Sequence, residues 1–208
     1  MSKKVKIVKE ELEKILNDDV EVDNFFDDDE VKEYEIFKRQ TVATVYNIYL
    51  GETVESSTNY YELFNLLNTA TQNDHINIHL NNFGGMVHTG VQLINNINTT
   101  KANVQIHVEG PVYSMAAILG CCIPNVKVHP FAFYMFHDYS GGERGKGNEI
   151  EKSVANYRPF FRNFMHKVCS PFLTKAEIDK VVDGQDLYIT AAEATKRFKK
   201  INSKKKGK

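Results

Sequence analysis

The stretch HINIHLNNFGGMVHTGVQLINNINTT (residues 75–100) contains a complete strand–turn–helix unit. Apolar and polar residues alternate over 75–82, as on a strand with one buried face, and residues 86–100 place apolar side chains at helical spacing after a double glycine. The same order returns at once, because NVQIHVEG (103–110) predicts a strand that ends at glycine and SMAAILGCCI (114–123) predicts a short apolar helix. Two consecutive units of this kind predict an α/β protein built on a parallel sheet.

The segments on either side continue the alternation. Upstream, TVATVYNIYLG (41–51) is β-branched and aromatic and predicts a strand, and residues 59–70 have a helical apolar pattern. Downstream, the sequence predicts strands at 125–129, 131–138 and 187–189, a glycine-rich connection at 141–147, and helices at 149–168, 174–182 and 190–198. Together these elements predict one domain over residues 34–200.

The two ends of the chain carry opposite charge. Residues 1–33 combine a short amphipathic helix at 4–16 with the acidic stretch 17–30, for which a solvated connector is preferred to a calcium loop because the required glycine is absent. A removable propeptide and a pore-lining segment are the candidate roles of residues 1–33. Residues 201–208 form a basic tail without interleaved aromatics, which favours a solvated end over a nucleic-acid site.

Composition excludes several classes of function. The 208 residues are 42% hydrophobic and 25% charged with a formal net charge of -1, so no overall charge favours nucleic acid or an anionic membrane as a partner. The odd number of cysteines, two of them adjacent, predicts neither a disulfide framework nor a metal site, and hence a reducing cytoplasm. The first residues do not resemble a signal peptide, and no apolar run is long enough for a membrane span. We expect a soluble cytoplasmic protein without cofactors.

Ser114 is the candidate nucleophile. A serine needs a neighbouring base and donors for the oxyanion, and Ser114 follows the Gly110-Pro111 turn at the start of an apolar helix, where backbone N–H groups are unpaired. Gly84 and Gly85 are predicted to end the neighbouring strand, where a backbone without side chains can approach substrate. The backbone N–H groups of Gly85 and Met115 are therefore the candidate oxyanion hole.

His137 is the candidate general base. It ends the apolar run FAFYMF (131–136), at the strand end where α/β proteins place active residues. The sequence implies no partner for the other histidines, and structural roles are preferred for His75, His79, His88, His107, His129 and His166. Spacing alone leaves the orienting carboxylate open among Asp179, Asp183 and Asp186.

Four separated motifs, in order between about residues 42 and 198, resemble the Clp protease proteolytic-subunit (ClpP) family. They are INIHLNNFGG (76–85), GPVYSMAA (110–117), YMFHDYSGGERGKGNEIE (134–151) and DGQDLYITAAEA (183–194). The resemblance implies an α/β fold of repeated ββα units, shared with crotonases, with a protruding handle helix. It also implies a triad of Ser114, His137 and Asp186, and substrate contacts at Gly84, Gly141 and Gly142.

The resemblance further implies a serine endopeptidase that cleaves unfolded proteins or peptides inside a ring chamber. The implied partners are copies of the chain, in heptameric rings that can stack in pairs, and an AAA+ unfoldase. ATP would act only on that unfoldase, because this sequence has no phosphate-binding loop motif.

The sequence departs from bacterial members of the family, in a manner similar to phage-encoded homologues, at Phe83, Tyr113, Asp138 and Gln185. Three alternatives therefore stay open. A stand-alone processing protease of a viral or cellular assembly would cleave peptides without an unfoldase. A catalytically silent ring subunit would not react at Ser114. A crotonase-type enzyme would bind coenzyme A thioesters, and the aligned serine, histidine and aspartate argue against it.

Overall fold

The computed structural model describes residues 42–142 and 144–206. A six-stranded sheet carries helices between its strands, so the predicted α/β class is confirmed. The helix predicted at 4–16 and the acidic stretch 17–30 lie outside the described residues. The domain boundaries predicted at residues 33 and 200 stay predictions.

The sheet has the order β1-β2-β3-β5-β6, and β4 pairs with β3 beside β5. Strands β1 to β5 are joined in parallel, and β6 runs antiparallel to β5. The strands are β1 (Val45–Val54), β2 (His75–Gly85), β3 (Asn103–Tyr113), β4 (Val126–Val128), β5 (Phe133–Phe136) and β6 (Leu187–Thr190).

The helices follow the predicted order. They are α1 (Tyr61–Thr69), α2 (Val87–Thr99), α3 (Met115–Leu119), α4 (Gly147–Cys169), α5 (Lys175–Val182) and α6 (Ala191–Lys206), and a 3-10 turn (Ser57–Tyr60) precedes α1. Helix α4 is the predicted handle: residues 147–160 contribute no buried side chain, whereas Phe161, Phe164 and Met165 join the core. No helix within 42–142 or 144–206 is long and apolar enough to cross a membrane.

The predicted strand alternation separates a core face from a polar face. Ile76, Ile78 and Leu80 of β2 and Ile106 and Val108 of β3 are almost fully buried. The intervening residues form what we call the polar face, on which equivalent positions of neighbouring strands lie side by side: Asn47, Tyr49, Asn77, His79, His107 and Glu109.

Strand β3 is longer than the sequence predicts. A turn is expected at Gly110-Pro111, but the strand continues to Tyr113, and Pro111 pairs with Phe133 of β5. The β2–β3 register shifts between Leu80 and Asn82 at this level, where β3 also changes its neighbour from β4 to β5. Because a proline has no N–H to donate, a strand tolerates it at an irregularity of this kind, where the regular hydrogen-bond ladder is interrupted.

Helix α6 extends beyond the predicted end at residue 198 and reaches Lys206. Arg197 anchors it: its guanidinium donates to both carboxylate oxygens of Glu177 (2.7 and 3.0 Å), to Glu193 (2.9 Å) and to the carbonyl of Phe172 (3.1 Å). The following stretch KKINSKKK contains neither glycine nor proline, so nothing in it ends the helix.

Candidate active site

Ser114 occupies the single position between β3 and α3, and its backbone is strained. Its φ of 54° and ψ of -124° place a side-chain-bearing residue in a region that glycine usually occupies. Its N–H donates to Met135 (2.8 Å), and its carbonyl accepts from the N–H groups of Ala117 (3.0 Å) and Ile118 (3.3 Å). A half-buried serine on a sharp strand-to-helix turn is the arrangement of a nucleophile elbow.

The double glycine of β2 lies directly against Ser114. A Cβ added to Gly84 would stand 2.6 Å from the carbonyl oxygen of Tyr113, 2.7 Å from Cβ of Ser114 and 3.0 Å from the backbone nitrogen of Met115. Gly84 has a φ of +91° and Gly85 a φ of +139°, values that side-chain-bearing residues rarely adopt. The structure therefore places Gly84 and the backbone nitrogen of Met115 beside the predicted nucleophile, whereas Gly85, the other predicted oxyanion-hole residue, lies against the backbone of Val54.

Asn82 holds this glycine turn, although the sequence analysis did not single it out. It is almost fully buried; its side-chain amide donates to the carbonyl of Gly51 (2.7 Å), and its side-chain oxygen accepts from the N–H of Gly84 (2.8 Å). An asparagine two residues before a glycine is a common turn signal, because its side chain bonds the backbone ahead of it. That signal was available in the sequence.

The strand register brings His137 and Asp186 to the same end of the sheet. Strand β5 pairs in parallel with β3 up to Tyr113 and Met135, so it ends beside Ser114. In the antiparallel β5–β6 ladder the terminal pair is Phe136 with Leu187. His137 and Asp186 are the next residue on each strand, and therefore lie opposite each other beyond that pair.

The three side chains are not joined by hydrogen bonds. Within the part of the chain that the structure describes, no such bond connects Ser114, His137 and Asp186. The exposed carboxylate of Asp186 instead accepts a long hydrogen bond from the hydroxyl of Tyr188 (3.4 Å). The register thus brings the backbones of the three predicted residues to one end of the sheet, while no hydrogen bond joins their side chains.

The loop that carries Asp186 is tied to helix α4. Arg162 donates to Asp183 (2.7 Å) and to Asp179 (2.6 Å), and Arg158 donates to Asp183 (3.2 Å). Hydrogen bonds to Asp183 and Asp179 keep the pKa of the Arg162 guanidinium above its ordinary value. Gln185, one of the positions at which the sequence departs from bacterial members of the family that it resembles, is exposed, and its backbone N–H donates to the carbonyl of Lys180 (3.0 Å).

Aromatic rings from four strands form a continuous row near Ser114. Tyr113 contacts Phe83 (ring centroids 5.8 Å apart) and Phe133 (6.4 Å), and Phe133 stacks on Tyr188 (5.9 Å). We name this row (Phe83, Tyr113, Phe133 and Tyr188) the aromatic row. Phe83 and Tyr188 are more than half exposed, so the row presents apolar surface.

The two other glycines predicted to contact substrate lie in the segment after His137. Gly141 and Gly142 are exposed, and a Cβ added to either would meet no atom within 4 Å. Asp138, the unusual neighbour of His137, accepts a hydrogen bond from the N–H of Tyr139 (2.9 Å). The two glycines therefore lie beside open space in the part of the chain that the structure describes.

Comparison with known proteins gives one family. The family model described as Clp protease matches residues 30–197, a range that includes all four motifs. The ATP-dependent Clp protease proteolytic subunit 1 of Salinibacter ruber (strain DSM 13855 / M31) is 23% identical over 173 residues, which cover 77% of this chain and 70% of that protein.

Proposed function

Because the chain belongs to the Clp protease family, whose members are serine peptidases, we propose that it is an endopeptidase with Ser114 as nucleophile, His137 as general base and Asp186 as orienting carboxylate. The observation that carries the proposal is the position of Ser114. It has a strained backbone at a strand-to-helix turn and lies against Gly84, beside the strand ends that carry His137 and Asp186.

In the first half of the reaction, His137 takes the proton of the Ser114 hydroxyl as the oxygen attacks the scissile carbonyl carbon. The carbonyl oxygen becomes an oxyanion, for which the backbone N–H groups of Gly85 and Met115 are the proposed donors. Loss of one such donor typically lowers the rate about 10²–10³-fold. The imidazolium then gives its proton to the leaving amine as the C–N bond breaks, which leaves an acyl-enzyme.

In the second half, a water molecule attacks the acyl carbon while His137 takes one of its protons. The bond to Ser114 breaks, the proton returns to the serine oxygen, and the carboxylic acid product leaves. Asp186 would hold the imidazole in the tautomer that accepts from serine. To do so, its carboxylate must turn to accept a hydrogen bond from the Nδ1–H of His137; the structure instead shows its Oδ2 atom accepting from the hydroxyl of Tyr188.

The substrate is proposed to be an extended peptide, as in unfolded proteins. The aromatic row offers apolar rings beside the proposed nucleophile, against which the side chains of an extended peptide can pack. Gly141 and Gly142 are proposed to contact the same peptide from the segment after the base.

The chain is further proposed to act as the proteolytic subunit of a ring, with an AAA+ unfoldase as its partner. The relative from Salinibacter ruber is itself named a proteolytic subunit of an ATP-dependent protease. In this chain, residues 147–160 of α4 leave Val154 and Phe160 about half exposed, which suits a helix that packs against another copy. Native mass spectrometry of the full chain tests the assembly, with heptamers and stacked heptamers as the expected species.

The peptidase proposal is tested with a fluorophosphonate probe, which bonds covalently to activated serines. Wild-type protein, Ser114→Ala and His137→Ala are treated and their intact masses measured. We expect one adduct on the wild type and none on either variant. An adduct that survives in Ser114→Ala would show that another serine is the nucleophile.

A catalytically silent subunit is the second candidate, and the long Asp186–Tyr188 hydrogen bond favours it. In that case folded, assembled wild-type protein forms no adduct. Tyr188→Phe then separates the two candidates, because removal of the competing hydroxyl should restore labelling if only the alignment of Asp186 is missing.

A further inference from the structure

Three histidines and a glutamate cluster on the polar face, outside the candidate active site. His79 of β2 and His107 of β3 are paired in the parallel ladder, and Glu109 lies two residues beyond His107 on the same face. His129 follows β4 directly, and its backbone N–H donates to the carbonyl of Val108 (2.9 Å). Three adjacent strands therefore supply these four side chains.

The distances between their polar atoms are short. One ligand atom from each of His79, His107 and Glu109 lies within 4.8 Å of the others. Nδ1 of His79 is 2.7 Å from a carboxylate oxygen of Glu109, and Nε2 of His129 is 4.0 Å from the same oxygen. The rings of His107 and His79 have centroids 4.8 Å apart.

Two of the imidazole nitrogens are buried without a hydrogen-bond partner. Nε2 of His107 and Nε2 of His129 have almost no exposed surface, and no described residue bonds to them. Buried polar atoms in folded proteins nearly always have a hydrogen-bond partner. Two such nitrogens in the cluster that contains the Glu109 carboxylate therefore indicate a ligand that binds them.

We propose that this cluster binds a divalent transition metal ion, with Zn²⁺ as its preferred occupant. Nδ1 of His79, Nε2 of His107 and the carboxylate of Glu109 are the ligands, and Nε2 of His129 completes a tetrahedral set. Imidazole nitrogens with one carboxylate oxygen suit zinc, whereas calcium and magnesium take oxygen ligands.

The surroundings suit this assignment. The other ring nitrogen of His79 lies 3.4 Å from the side-chain oxygen of Asn47, so a metal on Nδ1 would leave Nε2–H to donate there, as zinc-bound histidines commonly do. Tyr49 stacks on the His79 ring with centroids 4.5 Å apart and fixes its plane. Lys127, next to His107 in the register, opposes a cation, but its side chain is exposed and can turn to solvent.

Binding requires a small rearrangement of the cluster, in which the 2.7 Å contact between His79 and Glu109 lengthens and the 4.0 Å separation between His129 and Glu109 shortens. With zinc–ligand bonds of about 2.0–2.2 Å, donor atoms in a tetrahedron lie about 3.3–3.6 Å apart. Rotation of the exposed Glu109 carboxylate and of the imidazole rings can close the remaining distance. The ion would then join β2, β3 and the end of β4 through side chains, in addition to the backbone ladder.

The test is isothermal titration calorimetry of the metal-free full chain with ZnCl2. We expect one Zn²⁺ per chain, and a loss of affinity of more than about 100-fold in His107→Gln and in Glu109→Gln. Substitution of a residue that only hydrogen-bonds to a metal ligand already lowers the affinity about 10–100-fold. The matched control is His75→Gln, which changes an exposed histidine earlier on β2 and should bind like the wild type. Cobalt bound to the wild type should show the intense visible absorption of tetrahedral coordination.

The inference is overturned if the wild type binds no stoichiometric zinc, if Glu109→Gln and His107→Gln bind it as the wild type does, or if bound cobalt is octahedral. Circular dichroism establishes that the variants are folded. Should His107→Gln unfold, Glu109→Gln decides, because Glu109 is exposed. Zinc binding that disappears in His137→Ala instead would place the ion at the candidate active site and would also overturn the inference.

Discussion

Gly84→Ala is expected to destabilise the protein and displace the nucleophile at the same time. The added Cβ would lie 2.6 Å from the carbonyl oxygen of Tyr113 and 2.7 Å from Cβ of Ser114, well inside ordinary contact distance. A φ of +91° adds strain of about 1–3 kcal/mol for any residue with a side chain. Overpacking of a close contact adds about 1–3 kcal/mol.

The two terms give a loss of about 2–6 kcal/mol in the free energy of unfolding, to be measured by urea denaturation. If the chain relaxes by moving Ser114 away, part of this cost appears as lost reactivity, and fluorophosphonate labelling should slow by about 10²-fold, as for misplaced reacting groups. The matched control is Gly51→Ala, where an added Cβ meets no atom within 4 Å. Wild-type stability together with wild-type labelling in Gly84→Ala would refute the proposed contact between the glycine turn and the nucleophile.

Three further predictions concern the surrounding scaffold. Asn82→Ala should lower the free energy of unfolding by about 1–3 kcal/mol and slow labelling, because the buried N–H of the glycine turn loses its acceptor. Burial raises the pKa of Glu177, but hydrogen bonds from Arg197 and from Thr174, the residue before α5, lower it to about 2. Its contribution to stability is therefore complete above the unfolded pKa near 4.5 and is lost as the pH falls towards 2; Arg197→Met should remove about 2 kcal/mol at pH 7 and flatten this acid dependence in urea titrations. Phe161→Ala should lower the free energy of unfolding by about 3–5 kcal/mol and Phe160→Ala by less than about 1 kcal/mol, by the same measurement. Only Phe160→Ala should weaken the proposed packing of one heptameric ring on another without unfolding the chain.

The secondary structure was largely predictable because its elements obey simple periodicities. Alternation over 75–82 and helical spacing over 86–100 correspond to β2 and α2 with small shifts at their ends. Predictions were wrong where tertiary pairing overrides a local signal. Gly110-Pro111 predicts a turn, but β3 continues through it because β5 offers a second partner beyond the end of β4.

The sequence proposes residues for the candidate site but does not give their geometry. Motifs point to Ser114, His137 and Asp186, which stay a prediction, and no local pattern gives a serine a φ of 54° or sets Phe136 opposite Leu187. Both depend on contacts between strands far apart in sequence. The histidine cluster was missed for the same reason, because only the register places His79 beside His107.

The proposed nucleophile, Ser114, and the proposed orienting carboxylate, Asp186, differ in how firmly the fold holds them. Both backbone polar groups of Ser114 are bonded, buried α3 follows it, and Gly84 contacts it from the adjoining strand, so its position is set within one chain. The side chain of Asp186 is exposed and makes one long hydrogen bond to Tyr188, an interaction that exchanges readily with water. Its alignment with His137 therefore costs little and can be set by whatever orders the loop, including the Arg162 contacts from α4. Under the proposed function, a nucleophile held by the fold and an adjustable carboxylate would make the peptidase activity depend on whatever orders the loop of Asp186.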